Sequence, residues 1–251
     1  MDIKTLAAKA VNALTVDEFY ALTKAIWERE GIPPHLVGGE DDKAGVRQQN
    51  SLSSHVIETG QYEKALKLLE HPEETGIDPL YISSLGYTMA HRLMRSNYHA
   101  AKDRPEEGNL AIALLQKLYA LGVAHETHTK FGDQCIHLAA RRSTPELLTA
   151  YLPMVKDVNT LDTESRNALH CICTSFSFDG PHRYNWVILM AAGSDPFNCD
   201  NVGHSITYTI EHFGDDKINQ YMKDHFLPMI QEANLRDSIK NEITVKLKAK
   251  V

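Results

Sequence analysis

The chain has 251 residues, with 26 Lys and Arg against 33 Asp and Glu, a formal net charge of −7, and hydrophobic and charged shares of 43% and 24%. The acidity opposes the phosphate-driven attraction on which nucleic-acid binding rests, and the composition is that of an ordinary globular chain. No apolar run approaches the roughly 18–20 residues that span a bilayer, and residues 1–9 lack the apolar core of a signal peptide, so no membrane insertion and a cytoplasmic location are expected.

The first expected element lies within residues 1–49. Thr15-Val16-Asp17-Glu18 has the form of a capping box, in which the first side chain accepts from the helix and the fourth reaches back. Val16, Phe19, Tyr20, Leu22, Ile26 and Trp27 then form a helical apolar stripe that stops at Gly31, with Pro33 and Pro34 beyond it. The run Gly38-Gly39-Glu40-Asp41-Asp42 reads as a surface loop or linker.

Four versions of one hexamer follow: Gly86-Tyr87-Thr88-Met89-Ala90-His91, Gly132-Asp133-Gln134-Cys135-Ile136-His137, Ser165-Arg166-Asn167-Ala168-Leu169-His170 and Gly203-His204-Ser205-Ile206-Thr207-Tyr208. Their last residues are separated by steps of 46, 33 and 38, a basic period of 33 with two insertions. A period of this size is the mark of a solenoid, whose units bury their apolar faces against their neighbours. Ten residues upstream of each hexamer is a turn signal, such as Gly76-Ile77-Asp78-Pro79 or Gly193-Ser194-Asp195-Pro196. Thr88, Asn167 and Ser205 are good helix caps and Gln134 a poor one, so each unit reads as turn, extended loop, turn, helix. A degraded fifth copy occupies residues 51–69, where Gly60 stands six after Ser54 just as Gly214 stands six after Tyr208. Second helices are expected at 61–70, 109–121, 145–152, 182–192 and 215–223; Leu110, Leu114, Leu115, Leu118 and Leu121 keep the helical spacing best. Residues 225–251 read as one or two helices broken at Pro228, with Lys246, Lys248 and Lys250 in a solvated tail.

Thr88, His91, Gly132, Ile136, His137, Leu138, Ala139, Ala140, Asp157, Val158, Asn159, Asp162, Leu169, His170, Asp200 and Gly203 together resemble the ankyrin-repeat pattern. The chain departs from it where Pro would open the first helix, here Met89, Cys135, Ala168 or Ile206, and where Tyr208 stands for the last His. The resemblance covers residues 51–224 and implies an all-α solenoid of stacked helix-turn-helix units with protruding loops or hairpins. The units fall at about 50–85, 86–131, 132–164, 165–202 and 203–224, between helical caps at 1–49 and 225–251. The insertions, placed at 96–108 and 174–183, fall between first and second helices and should emerge on one edge; Phe176, Phe178, His182 and Tyr184 make the second aromatic.

The resemblance also implies a non-enzymatic protein-binding module whose partner lies on the loop tips and exposed first-helix positions. Here those are Tyr87, Lys130, Phe131, Asp133, Glu164, Arg166, Asn201 and His204 at the tips, and Arg95, Arg141, Arg142, His212 and Phe213 on first helices. Lys130, Arg95, Arg141, Arg142 and Arg166 would reverse the sign of an acidic chain and attract an acidic or phosphorylated segment of another protein. The competing possibility is that these charges are paired with nearby Asp and Glu. Such a module could be an adaptor, an inhibitor or a bacterial effector delivered to a host cytosol, and is expected to act as a monomer.

The alternative is an enzyme or metal protein built on His170, Cys171 and Cys173, with Cys135 and His137 one unit away. Structural zinc prefers paired ligands two to four residues apart on a turn, whereas these fall at repeat positions held elsewhere by Pro, Ala or Leu. No Gly-rich phosphate loop or Gly-x-Ser-x-Gly elbow appears, and a histidine that recurs in three units has a structural rather than a catalytic spacing. No metal, cofactor or catalytic residue is therefore expected.

Overall fold

A computed structural model of the chain describes residues 2–38, 41–43, 51–178, 180–212 and 214–234. Gly39, Glu40, Phe213 and the Lys246, Lys248 and Lys250 tail, named above, lie outside the described residues. The fold is all-helical. Among the described residues the only β-pairings are two isolated bridges, Gly38 with Ser51 and Cys199 with Ser205.

The N-terminal stretch forms α1 (Ile3–Val11) and α2 (Val16–Glu30). Thr15 Oγ1 accepts the Glu18 N–H at 3.1 Å, while the Glu18 carboxylate reaches back to the Leu14 N–H at 3.1 Å. Gly31 ends α2 in the left-handed conformation, so the Thr15 cap and the Gly31 stop act as expected, while Glu18 closes on Leu14, one residue before the cap, rather than completing the capping box. Then come α3 (Leu52–Glu58), α4 (Tyr62–Glu70), the short α5 (Pro72–Thr75), α6 (Met89–Asp103), α7 (Gly108–Ala120), α8 (Cys135–Arg142) and α9 (Pro145–Tyr151). The last are α10 (Ala168–Thr174), α11 (His182–Ala191), α12 (Ile206–His212) and α13 (Asp216–His225), and residues 227–234 are helical too.

Packing follows chain order in two rows. Helices α1, α3, α6, α8, α10 and α12 each pack on the next, as do α2, α4, α7, α9 and α11, while α1 with α2, α3 with α4, α6 with α7, α8 with α9, α10 with α11 and α12 with α13 form the rungs. Ala139, Ala140, Cys171 and Cys173 are buried on α8 and α10, and such small side chains let neighbouring helices approach closely. The second row supplies larger ones, including Leu68, Leu114, Leu148, Tyr151, Trp186 and Leu189, each contributing roughly 1.5–3 kcal/mol of apolar burial.

One turn geometry recurs before the first-row helices. The N–H of Ser83, Thr129, Asp162 and Asp200 donates to the carbonyl four residues on, at 3.0, 2.9, 2.9 and 3.0 Å, and a second bond returns from Gly86, Gly132, Ser165 and Gly203. These turns begin at 83, 129, 162 and 200, in the same register as the hexamers. The returning residue is left-handed each time, with φ of 80°, 89°, 60° and 85°, and Ser165 is the one described non-glycine with positive φ. Asp162 Oδ1 accepts from the N–H groups of Glu164 and Arg166, and Asp200 Oδ1 from those of Val202 and His204, which braces the last two turns.

The hexamer histidines fasten each unit to the next. His91 Nε2 meets the Thr127 carbonyl at 3.0 Å and His137 Nε2 the Thr160 carbonyl at 3.1 Å. A carbonyl only accepts, so Nε2 carries the proton and Nδ1 is left to accept, from the Thr88 N–H at 3.4 Å and the Gln134 N–H at 3.1 Å. At Gln134, the poor cap, the free N–H is thus satisfied by His137. Burial depresses all three imidazoles, His91 to about 4.

The first insertion departs from its expected place between two helices. Residues 96–103 continue α6, so that it has 15 residues against 7 or 8 in α3, α8, α10 and α12; a single turn at Pro105–Glu107 then leads into α7. Asn97 explains why the added turns stay helical and packed: it is buried, donates to the Tyr62 hydroxyl at 3.2 Å and accepts the Thr144 N–H at 2.8 Å. The second insertion folds inward. Phe176 lies 5.3 Å from the Tyr221 ring and 5.7 Å from that of Phe226, which itself stacks on Trp186 at 4.2 Å.

Candidate interaction surface

The tips are joined to one another by their backbones. Lys130 N–H donates to the Leu85 carbonyl at 2.9 Å, His128 Nε2 meets the Leu161 carbonyl at 3.0 Å, and Asn201 N–H donates to the Glu164 carbonyl at 2.9 Å. The sequence-expected tip residues therefore lie along one continuous edge, with the first-row helices behind them.

Their side chains separate into three groups. The first centres on Tyr87, which is only 7% exposed and so is a platform rather than a projecting anchor. Its ring lies 4.5 Å from the Arg92 guanidinium carbon, 5.3 Å from that of Arg95 and 6.3 Å from the Phe131 ring. Phe131 is 63% exposed, and Lys130 beside it has no ion-pair partner among the described residues.

The second group corrects the expectation of a row of free cations. Arg141 pairs with Asp133, which is itself buried, and Arg166 pairs with Asp162 at 2.8 Å and Glu164 at 2.9 Å. Two of the five basic residues are thus neutralised by tip carboxylates, because Asp133 and Asp162 stand in loops directly before the helices that carry or face those arginines. The Arg166 guanidinium and several N–H bonds hold the Asp162 carboxyl below its ordinary range despite burial.

In the third group Tyr208 stacks between His204, at 4.2 Å, and His212, at 4.1 Å, forming a three-ring ladder from the turn into α12 in which Tyr208 and His212 are exposed and His204 half-buried. His204 also approaches Asp200 at 3.5 Å. Asn201 is exposed, next to Val202.

Arg142 is separate from Arg141. It points to α6, where its Nη1 lies 3.4 Å from His99 Nε2. Placing residues 96–108 between two helices left out His99, Tyr98 and Lys102; their helical spacing with Arg95 was the available signal.

The alternative cluster is not assembled for thiol chemistry. His170 Nε2 contacts Thr209 Oγ1 at 2.8 Å and Nδ1 contacts Asn198 Oδ1 at 3.4 Å, while Cys171 Sγ donates to Asp162 Oδ2 at 3.6 Å. Cys135, Cys171 and Cys173 are buried, and burial raises all three thiols, Cys171 to about 12, away from the thiolate range that a nucleophile needs. Elsewhere, His71, Glu73 and Glu74 bring donor atoms within 4.8 Å of one another at the surface, but Glu74 is already held by Lys24 at 2.6 Å and by the Tyr20 hydroxyl at 3.0 Å.

No described helix is long and apolar enough to cross a membrane. No protein-family model matches the chain, and no curated protein matches it.

Proposed function

We propose that the chain is a divergent ankyrin-type array, a solenoid of about five units between helical ends, working as a non-enzymatic module that binds another protein. The observation that carries this reading is the recurrence of one hydrogen-bonded turn in the hexamer register, always before a first-row helix. Such a design multiplies equivalent positions along one face, and a face of joined tips suits a long, shallow contact better than a pocket reaction. Phe131, Lys130, Arg95, Arg142, Asn201 and the His204 ladder are the positions left available there, whereas Tyr87, Asp133, Arg141, Glu164 and Arg166 hold the face in shape.

Site-specific photo-crosslinking tests the reading. A benzophenone side chain at position 131, on the tips, should trap a partner protein from cell extract, whereas one at the also exposed Tyr119 of α7 should not. Trapping from position 119 alone would place the contact on the second-row helices and overturn the proposal.

A further inference from the structure

The lengthened α6 carries a feature that no tip residue supplies. Arg95, His99 and Lys102 follow one another on a single helical face, and Arg142 joins them from the end of α8. Two of the three cations rest on a ring, Arg95 on Tyr87 at 5.3 Å and Lys102 on Tyr98 at 5.6 Å, and Arg142 Nη1 is hydrogen-bonded to His99 Nε2 at 3.4 Å. A guanidinium only donates, so His99 Nε2 accepts and its Nδ1–H is a further donor on the same ledge.

None of Arg95, Lys102 and Arg142 has a carboxylate partner among the described residues. This is not for want of acid. The chain carries an excess of Asp and Glu, and Arg92, Arg104, Arg141, Arg166, Lys24, Lys67 and Lys156 all find one; other described cations, such as Lys117 and Arg183, also lack one, but these three lie together. Aromatic shelves fix a cation's position without neutralising it, which keeps its hydrogen-bond donors open for an incoming anion. Asp103 and Glu106 lie with Glu58 in a groove on the flank next to His99, so the ledge is positive with an acidic border.

We infer that this ledge recognises an extended acidic segment of the partner, with carboxylates at alternate residues and an apolar side chain directed to Phe131; the inference rests on the protein-binding reading above. The spacing supports it. Arg95 and Lys102 are separated by a rise of about 10 Å along α6, and alternate side chains of an extended peptide repeat every 6.6–6.8 Å or so, so two or three carboxylates span the ledge. A single phosphate would engage one end only.

Fluorescence anisotropy with three labelled synthetic peptides tests this: one alternating Glu with Ser after a Leu, one with Gln for every Glu, and one with the same Glu residues in a contiguous block. The alternating peptide should bind about tenfold tighter than the Gln peptide and several-fold tighter than the block, and weaken as salt rises. Arg95→Glu with Lys102→Glu should lose about tenfold in affinity with an unchanged melting curve, both side chains being exposed. Equal binding of the Gln peptide, or an unaffected double variant, would overturn the acidic ledge, and equal binding of the block would overturn the alternate spacing. Failure of all three peptides while position 131 still crosslinks would reject the ledge and leave the interaction face standing.

Discussion

His91 shows at the scale of one residue how the repeat is held. Its imidazole is neutral because burial pushes its proton affinity down to about 4, and its two nitrogens join a helix N-terminus to the next unit's loop. His182 is pushed down to about 4 by burial in the same way. A depressed histidine favours the fold only while it is neutral in both states. The stabilisation is therefore complete above the unfolded value near 6.5 and is lost as pH falls towards 4, on the order of 1–2 kcal/mol for each group by pH 5. Urea midpoints should fall between about pH 7 and pH 5, and the fall should shrink in His182→Asn; a flat midpoint would refute the role. The turns supply a second test. A Cβ at Gly86 would stand 2.9 Å from the Thr129 Cα, in backbone with φ of 80°. Gly86→Ala should cost more than about 1 kcal/mol, whereas Ser165→Gly, which relieves a left-handed serine, should be neutral or stabilising by thermal melting. The hexamer made both positions visible, since Ser165 occupies the place of Gly86, Gly132 and Gly203. What it hid was the return bond of the histidine, which satisfies the N–H of the residue three before it at Gln134 as it does at Thr88.

Among elements, the expected second helices were legible from the repeat register and their apolar spacing. Residues 61–70, 109–121, 145–152, 182–192 and 215–223 match α4, α7, α9, α11 and α13 to within one or two residues at each end. The 96–108 insertion, placed between two helices, instead lengthens α6; its helicity depends on Asn97 bonding to Tyr62 and Thr144, contacts 35 and 47 residues away in sequence. Asn97→Ala should strand the Thr144 N–H and lower stability by about 1–3 kcal/mol, with faster amide exchange concentrated at the end of α6. The second insertion was legible only as aromatic. Its direction is set by Phe226, whose stack on Trp186 and edge contact with Phe176 bind α11, the insertion and the C-terminal helices together. Phe226→Ala should cost about 3–5 kcal/mol and loosen residues 216–234 before the middle units; uniform loosening along the chain would show that these helices are not a separate closing element.

At the scale of the molecule, two rows of helices packed in chain order leave one edge of joined tips facing outward. The sign of that edge could not be read by counting residues. Arg141 and Arg166 are quenched by Asp133 and Asp162 of the turns, while the insertion adds Lys102 to the face of α6 that carries Arg95. The central claim is that this edge binds a partner protein, and quantitative recovery of the crosslinked partner by two double variants tests it most directly. Phe131→Ser with Arg95→Glu alters the edge, and Tyr119→Ser with Tyr184→Ser alters exposed side chains of the second-row helices. With all melting curves unchanged, an interaction edge predicts that recovery falls about tenfold in the first pair alone; undiminished recovery in the first pair, or equal loss in both, would contradict it.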